Sequence, residues 1–246
     1  MQRFKSAQDY IGNDSRPLVV VLTGAGISQE SGIPTFRDAN GLWENHNIME
    51  VASPEGFARD PKLVLRFYNL RRAACADVQP NAGHRALVEL EDDFNVVVIT
   101  QNVDDLHERA GSGKVLHLHG MLRYARSSVD ENLIYDIGNK PIEIGDTCEK
   151  GSQLRPHIVW FGEAVPNIPI AAEIVMQADY LLIVGTSLVV YPAAGLADYA
   201  KDDAKLYVVN PDCSGASHYR HATMIEKKAG EGLPEVVSEL KSQLRN

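Results

Sequence analysis

Asn102, Asp104, His107 and His119 stand close together in the chain, in Thr100–Gly111 (TQNVDDLHERAG) and in Leu118-His119-Gly120. An imidazole that is neutral near physiological pH can take a proton from a hydroxyl, and an amide and a carboxyl beside it can orient a polar ligand. Taken singly, a histidine after a strand reads first as a structural hydrogen-bonding residue. His107, inside the segment after QNVD, is read that way, whereas His119 gains weight from its neighbours. A second constellation is Gly24-Ala25-Gly26-Ile27-Ser28, directly after the apolar run Leu18–Leu22. A glycine turn between strand and helix lets backbone N–H groups approach a pyrophosphate. The dinucleotide fingerprint is incomplete because position 29 is Gln rather than Gly, so on its own this segment reads equally well as a tight turn. A third is Tyr68-Asn69-Leu70-Arg71, where Tyr and Arg three apart share a helical face and could converge on one carboxylate. The plainer reading is a core tyrosine beside a surface arginine.

The elements that must hold these residues follow from periodicity. Runs rich in β-branched residues occur at Leu18–Thr23, Asn95–Thr100, Lys114–Leu118, Tyr180–Thr186 and Lys205–Asn210. Stretches long enough for helices separate most of them, which predicts an α/β fold with a mostly parallel sheet. Helices are predicted over Pro61–Asp77, Asn81–Asp92, Asp104–Ala110, Pro169–Gln177, Pro192–Lys201 and Pro234–Leu244. The first is amphipathic through Leu63, Val64, Phe67, Leu70, Arg71 and Ala74. Trp160-Phe161-Gly162-Glu163 reads as a buried strand broken by a bulge. Two segments, 37–79 and 123–155, interrupt the rhythm and predict a smaller domain.

Composition narrows the class. The 246 residues, 44% of them hydrophobic, suffice for a large core. A formal charge of −9, with both signs interspersed, argues against nucleic acid or an anionic membrane as partner. No apolar run reaches the roughly 18 residues needed to span a bilayer, and the 3 scattered cysteines suit a reducing compartment. A soluble cytoplasmic protein, monomeric by default, is expected.

Together, GAGISQESGIPTFRD (Gly24–Asp38), TQNVDDLHERAG and LHG resemble the sirtuins, NAD-consuming protein deacylases, and the resemblance runs from about Leu18 to Leu244. It implies a Rossmann-like large domain (1–36, 80–122 and 156–246) and a small domain formed by two insertions (37–79 and 123–155), with the active site between them. NAD would be consumed as a co-substrate rather than reduced. His119 would be the base acting on a ribose hydroxyl, with Asn102 as its catalytic companion. NAD would lie against Gly24, Ala25, Gly26, Ile27, Phe36, Arg37, Trp43, Gln101, Asn102, Val103, Asp104, Gly185, Thr186 and Ser187, and more loosely against Asn210 and Ala229, the latter placed before the last helix. Acylated-lysine proteins would bind as an added strand along Phe161, Gly162, Glu163 and Val189. Tyr68 and Arg71 match members that remove succinyl or malonyl groups, so desuccinylase, demalonylase and deacetylase activities are expected, yielding nicotinamide and O-acyl-ADP-ribose. A mono-ADP-ribosyltransferase and a plain deacetylase are the alternatives.

The departure concerns metal. Most members carry two Cys-x-x-Cys pairs in the small domain, a strong zinc signal, but here Arg126-Ser127-Ser128 stands at the place of the first pair and Cys148 is the one cysteine of 123–155. No zinc is therefore expected. Packing of Leu133, Ile134, Tyr135, Ile137, Ile142 and Ile144 would hold the module instead.

Overall fold

A computed structural model describes residues 6–34, 42–43 and 46–245. The chain runs α1 (Ala7–Ile11), β1 (Leu18–Thr23), α2 (Ala25–Gln29), β2 (Leu42–Trp43), β3 (His46–Asn47), α3 (Ile48–Val51), α4 (Pro54–Arg59) and α5 (Pro61–Asp77). It continues through α6 (Ala82–Leu90), β4 (Asn95–Thr100), α7 (Leu106–Ala110), β5 (Val115–His117), β6 (Gly120–Ser127), β7 (Ile134–Asp136) and β8 (Leu154–Ile158). The last part holds α8 (Ile168–Val175), β9 (Tyr180–Val184), a 3-10 helix (Ala193–Tyr199), β10 (Lys205–Val209), β11 (Thr223–Ile225) and α9 (Ala229–Leu244).

Six strands form one parallel sheet in the order β11-β10-β9-β1-β4-β5. β1 and β4 are buried along their whole length, which is why both read as unbroken apolar runs. Alternate residues serve opposite faces. Val20, Leu22, Val97 and Ile99 pack against α1 and α8, and Val19, Val21, Val96 and Val98 pack against α6 and α9. This is a doubly wound Rossmann-like sheet, and from β1 the chain builds outward through β4 and β5 before crossing to β9 on the other side. The crevice at the carboxyl ends of β1 and β9 is therefore its topological switch point, where such sheets bind ligands.

A second, antiparallel sheet has the order β7-β6-β8. Beside it α5 starts at Pro61 behind the Asp60 cap, whose carboxylate accepts the Leu63 N–H at 3.0 Å. Val64, Phe67 and Tyr68 pack with Leu122, Ile158 and Trp160, and Leu65 packs with Ala125 and Ile142. The buried face of α5 also includes Arg71 and Arg72, while Leu70, expected inside, is 60% exposed. Ile144 is exposed as well, and Ile142 is the fully buried member of the apolar group expected to hold this module.

Three further expectations are corrected. Trp160–Glu163 is a turn closed by the Glu163 N–H on the Trp160 carbonyl, because the strand ends at Ile158. The segment after Pro192 is a 3-10 helix rather than an α-helix. The last helix starts at Ala229, so Ala229 is its first residue and Pro234 lies inside it. Among the described residues no helix is long and apolar enough to cross a membrane.

Candidate active site

Glycine sets the geometry of the switch point. The Gly24 N–H donates to the Val184 carbonyl at 3.0 Å and the Gly26 N–H to the Gly185 carbonyl at 2.8 Å, tying the turn after β1 to the end of β9. A Cβ on Gly26 would lie 2.7 Å from Gly185, and one on Gly24 would lie 2.8 Å from Thr186. Gly185 adopts φ 59 and would place its own Cβ 2.5 Å from the Ile27 nitrogen. Only residues without side chains allow two backbone turns to meet this closely. The resulting cradle of small residues and backbone amides at the head of α2 fits a dinucleotide. Gln101 adds a bridge, its Nε2 reaching Thr186 Oγ1 at 3.3 Å. Ser187 follows on the same turn.

Behind the cradle lies a buried polar cluster. The Asn102 amide donates to Ser28 Oγ at 3.1 Å, and that hydroxyl donates to Asp104 Oδ2 at 3.0 Å. Asp104 also accepts the Leu106 N–H at 3.1 Å, yet burial outweighs these bonds and holds its carboxyl above the usual range. Val103 fixes the segment from the other side by accepting the Leu122 N–H at 2.8 Å. Ser28 had no role assigned from sequence; its place one turn into the helix after the glycines is the signal that could have found it.

His119 follows β5. Its Nδ1–H donates to the Gln101 carbonyl at 3.1 Å, which leaves Nε2 as the basic atom. Burial pushes its pKa below the usual histidine value. A neutral, oriented imidazole at the cleft can receive a proton from a hydroxyl. His107, by contrast, is buried on α7 and its Nε2 pairs with Thr23 Oγ1 at 3.1 Å, a structural contact.

The α5 residues come next. Tyr68 is fully buried, its hydroxyl accepts the Trp160 Nε1–H at 3.0 Å, and burial drives its pKa upward. Arg71 is 7% exposed, with its guanidinium 5.6 Å from the Phe67 ring. Trp160 is clamped in turn: the Arg155 guanidinium lies 3.2 Å from its ring centroid, and the Trp160 backbone N–H donates to Glu163 Oε2 at 2.8 Å. Glu163 is also held by Arg155 at 2.7 Å and Arg126 at 3.0 Å. Its carboxylate therefore anchors the turn, while Phe161 and Val189 are exposed at 41% and 65%. The Phe161 N–H donates to the Ala52 carbonyl at 3.0 Å, and Gly162 takes φ 91 at the apex. Neither Trp160 nor Arg155 was singled out as a link to Tyr68 from sequence, because their contact crosses three elements.

Asn210 lies at the end of β10, where its amide donates to the Asp212 carbonyl, and Ala229 is buried under Gly83. Phe36 and Arg37 lie outside the described residues, and of Trp43 only the backbone place in β2 is described. Where the sequence lacks the Cys-x-x-Cys pairs, Ser127 Oγ and Ser152 Oγ are 2.7 Å apart and Cys148 Sγ is 3.0 Å from Ser152 Oγ. One thiol and two hydroxyls bonded to each other do not fit a tetrahedral zinc site. Among the described residues no group of three or more His, Cys, Asp or Glu is placed to hold a metal ion.

Comparison with known proteins agrees with this geometry. A protein of Helicobacter pylori (strain ATCC 700392 / 26695) called an NAD-dependent protein deacylase is 52% identical over 222 residues, covering 90% of this chain and 96% of that protein. One of the same name from Vibrio vulnificus (strain YJ016) is 45% identical over 239 residues, covering 93% of this chain and 95% of its own length. Among solved structures, a Sir2 homolog in complex with NAD superposes with TM-score 0.84 at 40% identity, covering 97% of this chain and 93% of that one. A Sir2 mutant with a deacetylated p53 peptide and 3'-O-acetyl ADP-ribose gives 0.77 at 32% identity, covering 94% and 96%. The Sir2 family pattern matches residues 24–192, from the first glycine of the cradle through the turn after β9 to the start of the 3-10 helix. With the family pattern spanning residues 24–192 and relatives matched along nearly their whole length, the chain belongs to the Sir2 family.

Proposed function

We propose that this chain is an NAD-dependent protein-lysine deacylase with a preference for acyl groups that end in a carboxylate. The observation that carries the first part is His119, neutral and aimed by the Gln101 carbonyl, beside a glycine cradle shaped for a dinucleotide. NAD, when bound, supplies an electrophilic ribose carbon that the acyl oxygen of the modified lysine can attack as nicotinamide leaves, and it carries the acyl group away as O-acyl-ADP-ribose. His119 Nε2 accepts the proton of a ribose hydroxyl. Asn102, Ser28 and Asp104 form the polar wall against which the leaving nicotinamide is oriented, with Val103 and Gln101 on its margins. Gly24, Ala25, Gly26, Ile27, Gly185, Thr186 and Ser187 line the phosphates, Asn210 and Ala229 lie toward the adenosine, and the roles of Phe36, Arg37 and Trp43 toward NAD rest on the sequence resemblance alone.

Acylated proteins bind between the Phe161–Gly162 turn and the Val189 loop, whose exposed apolar side chains suit an extended peptide. Tyr68 and Arg71 lie on the inner face of α5 and take the acyl carboxylate. Residues 37–79 and 123–155 act as a small domain whose packing against 1–36, 80–122 and 156–246 forms the cleft. The three buried free thiols suit the cytoplasm.

The test compares NAD-dependent acyl release from matched succinyl-, malonyl- and acetyl-lysine peptides in the wild type and Arg71→Met. Loss of a charged hydrogen bond of about 1.5–3 kcal/mol predicts a fall of roughly 10- to 100-fold on the acidic substrates and little change on acetyl-lysine. Equal acetyl turnover by both with no acidic-acyl activity would leave a plain deacetylase, and stable label from NAD on protein would favour ADP-ribosyl transfer.

A further inference from the structure

Asn102 is held from three directions. Its N–H donates to Thr100 Oγ1 at 3.0 Å, its side-chain amide to Ser28 Oγ at 3.1 Å, and its carbonyl accepts from His117 Nδ1 at 3.0 Å. The other ring nitrogen of His117, Nε2, lies 2.7 Å from Glu108 Oε1 on α7. His117 is 8% exposed at the end of β5, two residues before His119, and its own carbonyl accepts the Asn167 amide at 2.7 Å. Both nitrogens therefore face acceptors, a carbonyl and a carboxylate, and both bonds form at once only when each nitrogen carries a hydrogen.

We propose that His117, held as an imidazolium by Glu108, is a positioning residue that fixes the Asn102 carbonyl and so aims the Asn102 amide into the nicotinamide end of the cleft. The inference rests on the deacylase reading only for what binds beside Asn102. The electrostatics agree. Burial alone would pull the His117 pKa down, but the Glu108 hydrogen bond and charge, with the Asn102 carbonyl and Asp104, bring it above the usual value. His117 likewise lowers that of Glu108 against the effect of burial. The other titratable groups facing His117 are His107 on α7 and His157 on β8, both pushed down by burial and so neutral. His117 is the charged member of the group.

Two proton equilibria then bound the reaction from opposite sides. His119 must be neutral, which sets the acid arm of the rate, and His117 must be charged, which sets the alkaline arm. In Glu108→Gln the counter-charge is gone while a hydrogen-bond acceptor remains. His117→Asn keeps a donor where Nδ1 stood and removes the titrating ring. Nicotinamide release from NAD in the presence of an acyl-lysine peptide is the readout, because deacylation and ADP-ribosyl transfer share it; freed lysine, measured in parallel, tests the deacylase reading separately.

The expected result is that Glu108→Gln moves the alkaline arm toward neutral, with kcat there falling roughly tenfold against wild type, while the acid arm stays in place. His117→Asn should flatten the alkaline arm and keep kcat within a few-fold, and His117→Ala should lose both. NMR titration of the His117 ring in wild type and Glu108→Gln gives the same answer without turnover. A uniform fall of kcat at every pH in Glu108→Gln with the arms unmoved, or full activity in His117→Ala, would overturn the proposal. Melting temperatures of the variants separate these outcomes from loss of fold.

Discussion

The role proposed for His119 depends on what it lacks. One nitrogen is committed to the Gln101 carbonyl and burial disfavours the charged ring, so the free Nε2 is a base over most of the working range. The sign follows directly: a lowered pKa keeps the neutral, active form populated to lower pH, so the acid arm of kcat should lie below the ordinary histidine value of about 6.5. His119→Ala should lower turnover by about 10²–10⁴-fold while leaving NAD affinity nearly unchanged, since the cradle is built from glycines and backbone amides. Single-turnover kinetics with calorimetric NAD binding would check both halves. An alanine variant that turns over at the wild-type rate would remove His119 from its role. Asp104 works in the opposite sense, its carboxyl held above the usual range by burial and bonded to Ser28, which makes it a structural partner of Asn102 rather than a second base.

The β6–β8 junction shows how an element fixes a residue. Gly120 opens β6 directly after His119 with φ 78, and a Cβ there would stand 2.0 Å from the His157 carbonyl oxygen. Neither backbone can yield cheaply, because Gly120 pairs with Ile158 and the Val159 N–H donates to the His119 carbonyl at 3.0 Å. Gly120→Ala should therefore cost about 1–3 kcal/mol of stability and displace His119, seen as a lower melting temperature and a fall in kcat larger than the rise in KM for NAD. The same region marks where sequence reading ran out. β1 and β4 were legible to the residue because both of their faces are buried, and α5 because Asp60 and Pro61 mark its start. β6 and β8 carry Arg123, Arg126, Arg155 and Pro156, which break any apolar pattern; Arg155 is buried only because Glu163 and the Trp160 ring come to it from beyond the strand. α9 begins five residues before the sequence reading placed it, since Gly230, Gly232 and Pro234 depress helix propensity. There the Gly230 N–H meets Glu30 at 2.7 Å and Gly232 packs where a Cβ would lie 2.5 Å from Val209, so tertiary contact decides. The cradle, QNVD and HG were readable as short motifs, whereas His117, Glu108 and Trp160 act across elements that only the fold brings together.

At the scale of the whole molecule, stability should depend on protons and not on metal. The Ser152 hydroxyl is hydrogen-bonded to both Ser127 and Cys148 in the module where the sequence lacks zinc cysteines, so chelator treatment should leave the melting temperature unchanged; about one zinc per chain surviving chelation would contradict this. The proton dependence rests on buried histidines. His84 and His157 are each pushed down from 6.5 to about 4, mainly by burial, and His107 is held well below the usual histidine value by burial and by the nearby His84. The His84 and His107 rings lie 4.9 Å apart, and among the described residues His84 Nε2 and His107 Nδ1 are buried without a hydrogen-bond partner, so neither can take a proton without disrupting the packing between α6 and α7. Above pH 6.5 these groups are neutral in both native and unfolded chains and their contribution is complete. As pH falls from 6.5 toward about 4 the unfolded chain binds protons that the native state refuses, so stability must fall across that window. His117 has the opposite sign: its pKa is raised, so its contribution is present at low pH and lost as pH rises through the folded value. Asp104 and Glu91, raised by burial, soften the loss at the acid end, where the lowered Asp136 and Glu163 add to it. The melting temperature should therefore peak near neutrality and decline on the acid side well before ordinary carboxylates titrate. His84→Gln should flatten that decline whatever it does to the maximum, and a melting temperature that stays level down to pH 4.5 in the wild type would show that the buried imidazoles do not govern it.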